Sequence, residues 1–291
     1  MRWRVLVDPP ATGSSNMAVD HALAACSSPG EAVLRIYQWG RPTVSFGRNE
    51  PARDHYGRER QGGRGGHRTV HDGGFDFVRR PTGGRAVLHD RELTYSVVLP
   101  LNRGGVTGRG GSLRATYGLI NQGLIEALRL LGVPAALAEQ QGPPAALDSG
   151  PCFERPAPGE VIARGRKLVG SAQARIGRAI LQHGSLLLGP GQERLREIES
   201  NFASRSTGGH PEGPGGDGRV QVLVAPQTGP ISLSEVLGRE PSWSHVVEAV
   251  ISGLKQVTGG EWQRDDLTEL ERVKSVALEE RYASPEWTWR R

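Results

Sequence analysis

The sequence predicts an α+β fold: mainly antiparallel sheets with packed helices. Two observations carry this. Short runs with two-residue alternation cluster together, and segments with helical periodicity stand apart from them. At 291 residues the chain is long enough to bury a full core.

Taken in order, Trp3 to Asp8 alternates as a strand, and Met17 to Ala25 is a helical run whose following residue, Cys26, is expected to pack against the core. Strands follow at Val33 to Trp39, Thr43 to Gly47 and Phe75 to Arg79. Arg85 to His89 and Leu93 to Leu99 read as two strands joined at Asp90-Arg91-Glu92. Leu113, Tyr117, Ile120, Leu124, Leu128 and Leu131 recur at three- and four-residue intervals, an amphipathic helix stopped by Gly132 and Pro134. Lys167 to Ile176, Ala179 to Leu188 and Val220 to Val224 supply further strands. Trp243, Val246, Val247, Val250, Ile251, Leu254 and Val257 form a second amphipathic helix, and a third runs from Asp266 to Tyr282. The helices are expected on one side of the sheet. Residues 1–225 are expected to form the main domain, with 226–291 a helical extension packed on it.

Gly57 to Gly74, Arg103 to Gly111 and Ser206 to Gly218 read as loops or insertions, holding many of the 41 glycines and too little apolar surface to fold alone. GRERQGGRGGHR resembles an RGG-type tract and raises a nucleic-acid-binding alternative, but it lacks the interleaved aromatics on which bases stack. With 36 Lys+Arg against 31 Asp+Glu, the net charge of +5 suits acidic protein partners. No run approaches the ~18 consecutive apolar residues of a membrane helix, and the N-terminal apolar run is too short for a signal peptide. Two cysteines, one of them a candidate nucleophile that must stay free, fit a reducing cytoplasm.

Arg79 to Asp90, RRPTGGRAVLHD, pairs a basic glycine turn with a strand ending in His-Asp. Gly83 and Gly84 admit close backbone approach to a ligand, and Arg79, Arg80 and Arg85 supply fixed charge beside it. Further on, Cys152 lies in SGPCFERP, followed by GRKLVGSAQAR and ILQHGSLLL. Gly150 and Pro151 before it, and Glu154, Arg155, Pro156 and Pro158 after it, describe an exposed loop, where an idle thiol is a liability. A thiol attacks only as thiolate, and an ordinary cysteine, with a pKa of about 8.5, needs a nearby cation or base. Lys167 is the candidate cation, able to favour the thiolate and to polarise a carbonyl as an oxyanion forms. His89 and His183 are candidate proton shuttles.

These blocks, with Asn16 to Asp20, Ser45 to Asn49 and Glu280 to Trp287, resemble the lipoate-protein ligase and octanoyltransferase superfamily, related to biotin protein ligases, over most of the chain. Cys152 in a Cys-Phe pair, Arg85 where ligases carry a third glycine, and the LQHGS form around His183 are closest to the cysteine-dependent octanoyltransferases. The resemblance implies transfer of octanoyl from octanoyl-acyl carrier protein, through a Cys152 thioester assisted by Lys167, to a lysine of a lipoyl-type domain such as glycine cleavage H protein. No cofactor or metal is implied. Arg80, Gly83, Gly84, Arg85, His89, Gly170, Ser171, Gln173 and His183 are expected to line the acyl site, with Gly184 and Ser185 near its floor. Gly47-Arg48-Asn49 is closer to the ligase style and keeps open an ATP- and magnesium-dependent lipoate or octanoate ligase. A third alternative is an amidotransferase moving acyl groups between lipoyl domains through Cys152.

Overall fold

The computed structural model describes residues 1–52, 56, 71, 72, 74–101, 112–139, 153, 157–207 and 229–290. The strands are β1 (Arg2–Val7), β2 (Glu31–Tyr37), β3 (Thr43–Phe46), β4 (His71–Asp72), β5 (Phe75–Arg79), β6 (Val87–His89), β7 (Glu92–Pro100), β8 (Ala136–Leu137), β9 (Val161–Ala163), β10 (Arg166–Ile176), β11 (Ala179–Leu187) and β12 (Glu261–Arg264). An eight-stranded sheet has the order β12-β1-β2-β7-β11-β10-β9-β8, and a four-stranded sheet the order β4-β5-β3-β6. Parallel pairing is confined to β12-β1, β1-β2 and β3-β5. Both sheets are therefore mainly antiparallel.

The central strand β7 is buried along its whole length. Leu93, Tyr95, Val97 and Leu99 point into a core shared with helices α2 (Leu113–Leu130) and α5 (Trp243–Thr258). The alternate residues Thr94, Ser96 and Val98 face the other way. There Val98 meets Val19, Leu23 and Ala24 of α1 (Gly13–Ala25). Helices thus cover both faces of the large sheet, rather than one as the clustering of strands suggested, because the central strands are buried on both sides and leave no face to water. Caps start the helices where polar residues precede apolar runs: the Thr12 side chain accepts from Ser15 N, and Ser112 from Ala115 N.

The other helices are α3 (Arg194–Thr207), α4 (Leu233–Leu237), α6 (Glu269–Ala283) and α7 (Pro285–Thr288). Buried Arg4 on β1 donates to both carboxylate oxygens of Glu271, at 2.7 and 2.9 Å, and to Asp265 at 2.8 Å. Glu271 also closes the capping box of α6 with Thr268. One arginine therefore locks the start of α6 to β1, the strand next to the sheet edge. The tail returns to the small sheet, where Trp287 Nε1 donates to the Arg79 carbonyl at 2.8 Å and Arg79 Nε to the Thr288 carbonyl at 3.0 Å.

The strand at Val220 to Val224 falls outside the described residues, as do most of the three glycine-rich loops. Within those expected loops the structure places His71–Asp72 in β4 and Ser206–Thr207 in the end of α3. Cys26 is not a core residue; it caps α1 half-exposed, its N–H donating to the Ala22 carbonyl. Short or edge elements such as β8, β9, β12, α4 and α7 carry too few periods to be seen in sequence.

The Arg4 clamp has a defined pH signature. Burial alone would raise the Glu271 carboxyl, but the Arg4 and Thr268 hydrogen bonds outweigh it and hold the group below its ordinary value of 4.5. Its stabilisation is thus present above that value and lost as pH falls through the lower folded one. Urea denaturation should show Arg4→Ala costing about 3–5 kcal/mol at pH 7. Glu271→Gln should lose less stability than wild type on going from pH 6 to pH 3.

Candidate active site

His89 and Glu92 bracket the point where the chain leaves the small sheet for the large one. β6 pairs with β3, while β7 pairs with β2 and β11, so the strands joined at Asp90-Arg91 lie in different sheets rather than in a hairpin. Between the sheets opens a pocket of about 440 Å³, including its mouth. Met17, Tyr37 and Trp39 line it from one side and Gly170, Ser171 and Ala172 of β10 from another. Ser45, Arg80, Gly84, Val87, His89, Thr94, His183, Gly184 and Ser185 complete the wall.

The glycine turn forms one lip because its backbone is packed against β3. A Cβ on Gly47 would stand 1.8 Å from the Gly84 carbonyl oxygen, and Gly84 itself has φ of +89°. Arg80, buried, holds the turn from beneath. It donates to the Gly83 carbonyl at 2.8 Å, the Arg85 carbonyl at 2.8 Å and both oxygens of Ser45, at 2.9 and 3.1 Å. Opposite, Gly170 and Gly184 let β10 and β11 approach closely, since a Cβ on Gly184 would meet the Gly170 carbonyl oxygen at 2.4 Å.

Period-two geometry puts Arg35 and Tyr37 of β2, Thr94 and Ser96 of β7, and His183 and Ser185 of β11 on the face turned toward α1 and the pocket. There they form two buried networks. In the first, Arg35 donates to Asp20 Oδ1 at 2.9 Å, Tyr37 to Oδ2 at 2.9 Å, Ser96 to Oδ1 at 2.8 Å, and His183 Nδ1 lies 3.0 Å from Oδ2. Burial would raise the Asp20 carboxyl, but the His183 hydrogen bond and the Arg35 charge hold it below its ordinary range. Burial pushes His183 down against the pull of Asp20, and its Nε2 lies 2.6 Å from Thr82 Oγ1. In the second, Glu92 Oε1 receives His89 Nδ1 at 2.5 Å, Thr94 Oγ1 at 2.6 Å and Ser185 Oγ at 2.8 Å. His89 stacks on Trp39 with centroids 3.9 Å apart.

Lys167 is buried at 1% exposure and does not line the pocket. It pairs with Ile162 of β9, and a bulge shifts the register between it and Val169, which pairs with Val161. Its Nζ pairs with Glu160 Oε1 at 2.7 Å and sits 4.8 Å from the Phe153 ring centroid. Its Cε reaches the pocket wall at Gly170, where a Cβ would come within 3.2 Å of it.

Of the residues singled out in the sequence, Arg80, Gly84, His89, Gly170, Ser171, His183, Gly184 and Ser185 meet around the pocket. Gly83 and Arg85 do not line it; their carbonyls serve Arg80. Gln173 points instead to the Gln182 amide at 2.7 Å, on the face of β10 and β11 turned to α2. Cys152 lies outside the described residues. Sequence reasoning missed Asp20, Arg35, Ser45, Glu92, Thr94 and Glu160. A signal for the strand residues was present: single polar residues such as Arg35 and Ser96 sit between apolar neighbours in strands too hydrophobic to have a wet face. Among the described residues no cluster of His, Cys, Asp or Glu forms a metal site, and no helix is long and apolar enough to cross a membrane.

The model of the lipoyl protein ligase A/B catalytic domain matches residues 12–255. The chain belongs to that family. Within the family, it is 36% identical to the octanoyltransferase LipM of Kyrpidia tusciae, covering 99% of each chain. It is 34% identical to the octanoyltransferase LipM of Symbiobacterium thermophilum, covering 99% of this chain and 98% of that protein. Family membership and full-length similarity to transferases make the chain an acyltransferase. The fold matches that of lipoate-protein ligase A bound with ATP, with a TM-score of 0.71, 20% identity and 99% of each chain covered. It also matches an archaeal bi-partite lipoate protein ligase with its E2 lipoyl domain from Thermoplasma acidophilum, with a TM-score of 0.69, 20% identity and 99% and 96% of the chains covered.

The close approach of Gly47 to Gly84 is testable by one methyl group. Gly47→Ala should cost about 1–3 kcal/mol or more in chemical denaturation, since the Cβ strikes backbone rather than a movable side chain. Gly118→Ala, with nothing near its Cβ, should leave stability within about 0.5 kcal/mol of wild type or raise it.

Proposed function

We propose that this family member transfers an octanoyl group from octanoyl-acyl carrier protein to a lysine of a lipoyl-type domain, such as glycine cleavage H protein, through a thioester on Cys152. The observation that carries this reading is the full-length similarity to octanoyltransferases at 30–36% identity. The pocket agrees with it chemically. Met17, Tyr37, Trp39 and Val87 offer an apolar wall for an acyl chain, while Arg80, the two histidines and the glycine turn gather polar groups around it.

The acyl chain enters between the sheets and its carbonyl stops near Gly170, against which Lys167 is packed. Cys152, as thiolate, attacks the carbonyl carbon, and the carbon–sulfur bond to the carrier breaks, releasing the carrier thiol. The Lys167 ammonium donates to the oxyanion as it forms. Phe153, the next residue after Cys152, packs with Val87 and Leu187 and lies under Lys167, which supports placing the nucleophile beside this lysine. The acceptor lysine, as free amine, then attacks the enzyme thioester, forming the amide and returning the thiol. His183 or His89 takes the amine proton.

The donor arrives activated, so this route needs neither ATP nor metal. The cations nearest the pocket favour it over the ligase alternative: Arg80 is engaged by Ser45 and the turn carbonyls, and Lys167 by Glu160. A polyphosphate would have to compete for bonds already made.

Intact-mass spectrometry after mixing with octanoyl-carrier protein should show one added octanoyl group without ATP, removed by hydroxylamine. Cys152→Ser should carry no hydroxylamine-labile label and lose transfer, and Cys26→Ser should keep both. Labelling only with octanoate, ATP and magnesium would overturn the transferase reading in favour of a ligase.

A further inference from the structure

The two histidines of the pocket are built alike, each between a carboxylate and a hydroxyl, but they differ in what the carboxylate is free to do. Asp20, behind His183, is neutralised by Arg35, and the hydroxyl on the far side belongs to Thr82, which does not line the pocket. Glu92, behind His89, makes no ion pair with lysine or arginine among the described residues. Its Oε2 is buried there with no hydrogen-bond partner. The hydroxyl on the far side of His89 is Ser45, a primary alcohol on the pocket wall.

The geometry of this second set is that of a nucleophilic triad. Glu92 as a carboxylate only accepts, so His89 Nδ1 carries the proton at 2.5 Å from Oε1, and Nε2 is left to accept from Ser45 Oγ at 2.7 Å. Arg80 Nη1 donates to the same Ser45 Oγ at 3.1 Å, a cation that eases removal of its proton. Stacking on Trp39 and the hydroxyls of Thr94 and Ser185 fix the ring and the carboxylate. Leaving one buried carboxylate oxygen unsatisfied is a cost that a purely structural hydrogen-bond cluster avoids. The same uncompensated charge is what stabilises an imidazolium once His89 has taken a proton.

We infer that Ser45, His89 and Glu92 form a second nucleophilic centre in the acyl pocket, one that hydrolyses medium-chain acyl thioesters and esters. Ser45 Oγ attacks the acyl carbonyl carbon and passes its proton to His89 Nε2. The bond to the leaving thiol or alcohol breaks, and that group takes the proton from His89. Water, deprotonated by His89, then attacks the Ser45 ester, releasing the carboxylic acid and restoring the hydroxyl. The net reaction consumes one water per acyl group and needs no other reactant. Its preference for an octanoyl chain rests on the acyl-pocket reading above; the reactivity of Ser45 does not.

Phenylmethylsulfonyl fluoride, followed by peptide mapping, tests the centre in the wild-type protein without any substitution. The expected result is one sulfonyl adduct on Ser45. No adduct, or an adduct elsewhere only, overturns the inference. Hydrolysis of p-nitrophenyl octanoate is then measured in the Cys152→Ala background, so that the thiol does not contribute. There Ser45→Ala should lower the rate at least about 100-fold, and Glu92→Gln should lower it by about 100- to 10,000-fold by favouring the wrong imidazole tautomer. Unchanged rates in both variants also overturn it. A Ser45 adduct with p-nitrophenyl acetate cleaved as well as octanoate supports the triad while removing the acyl-pocket reading. Octanoyl transfer with Ser45 unmodified removes the triad alone.

Discussion

The buried ion pair between Asp20 and Arg35 is the constraint on which the rest of the site depends. Helix α1 carries the carboxylate and β2 the guanidinium, with Ser96 of β7 and His183 of β11 completing the coordination. One anion thus fixes the spacing of a helix and three strands beneath the pocket. Two charges taken out of water are tolerable only when every donor and acceptor is answered. Arg35 accordingly spends itself on Asp20, Asp8 and both Asn16 oxygens. Losing either partner would leave an uncompensated charge in the core, so the pair specifies geometry more than it adds stability.

Two of the pocket's boundaries are backbone against backbone, Gly47 on Gly84 and Gly184 on Gly170, and a third is the Arg80 guanidinium threaded among turn carbonyls. Side chains occupy only the space these contacts leave. The histidines are each oriented at both nitrogens, His183 by Asp20 and Thr82 and His89 by Glu92 and Ser45. Positions held in this way suit chemistry on a bound carbonyl better than shape recognition alone.

Much of this was legible in the sequence, for identifiable reasons. The long strands β7, β10 and β11 and the helices α2 and α5 span several periods, and their alternation or helical spacing survives local noise. The glycine turn and His89, His183 and Lys167 stood out because glycine pairs, arginines and isolated histidines break an apolar pattern. What stayed hidden depends on pairing across the chain. Nothing local says that Glu92 reaches Ser185 or that Asp20 meets Arg35. The large sheet's helix cover on both faces likewise follows from the topology that places the small sheet and α1 behind β7. Gln173 was placed at the acyl site by family resemblance, and which face of β10 it shares with α2 shows only in the pairing.

Glu160 holds the Lys167 ammonium, which is therefore not bare. A paired cation polarises a neighbouring thiol less than a free one, so both partners should tune Cys152 in opposite senses. The most direct measurement is the pH midpoint of Cys152 alkylation by a small reagent, followed by peptide mapping. Lys167→Ala should move it upward, toward or beyond the ordinary value of about 8.5, because the Glu160 carboxylate is left unopposed. Glu160→Gln should move it downward. Midpoints unchanged in both variants would contradict the account and separate Lys167 from the cysteine.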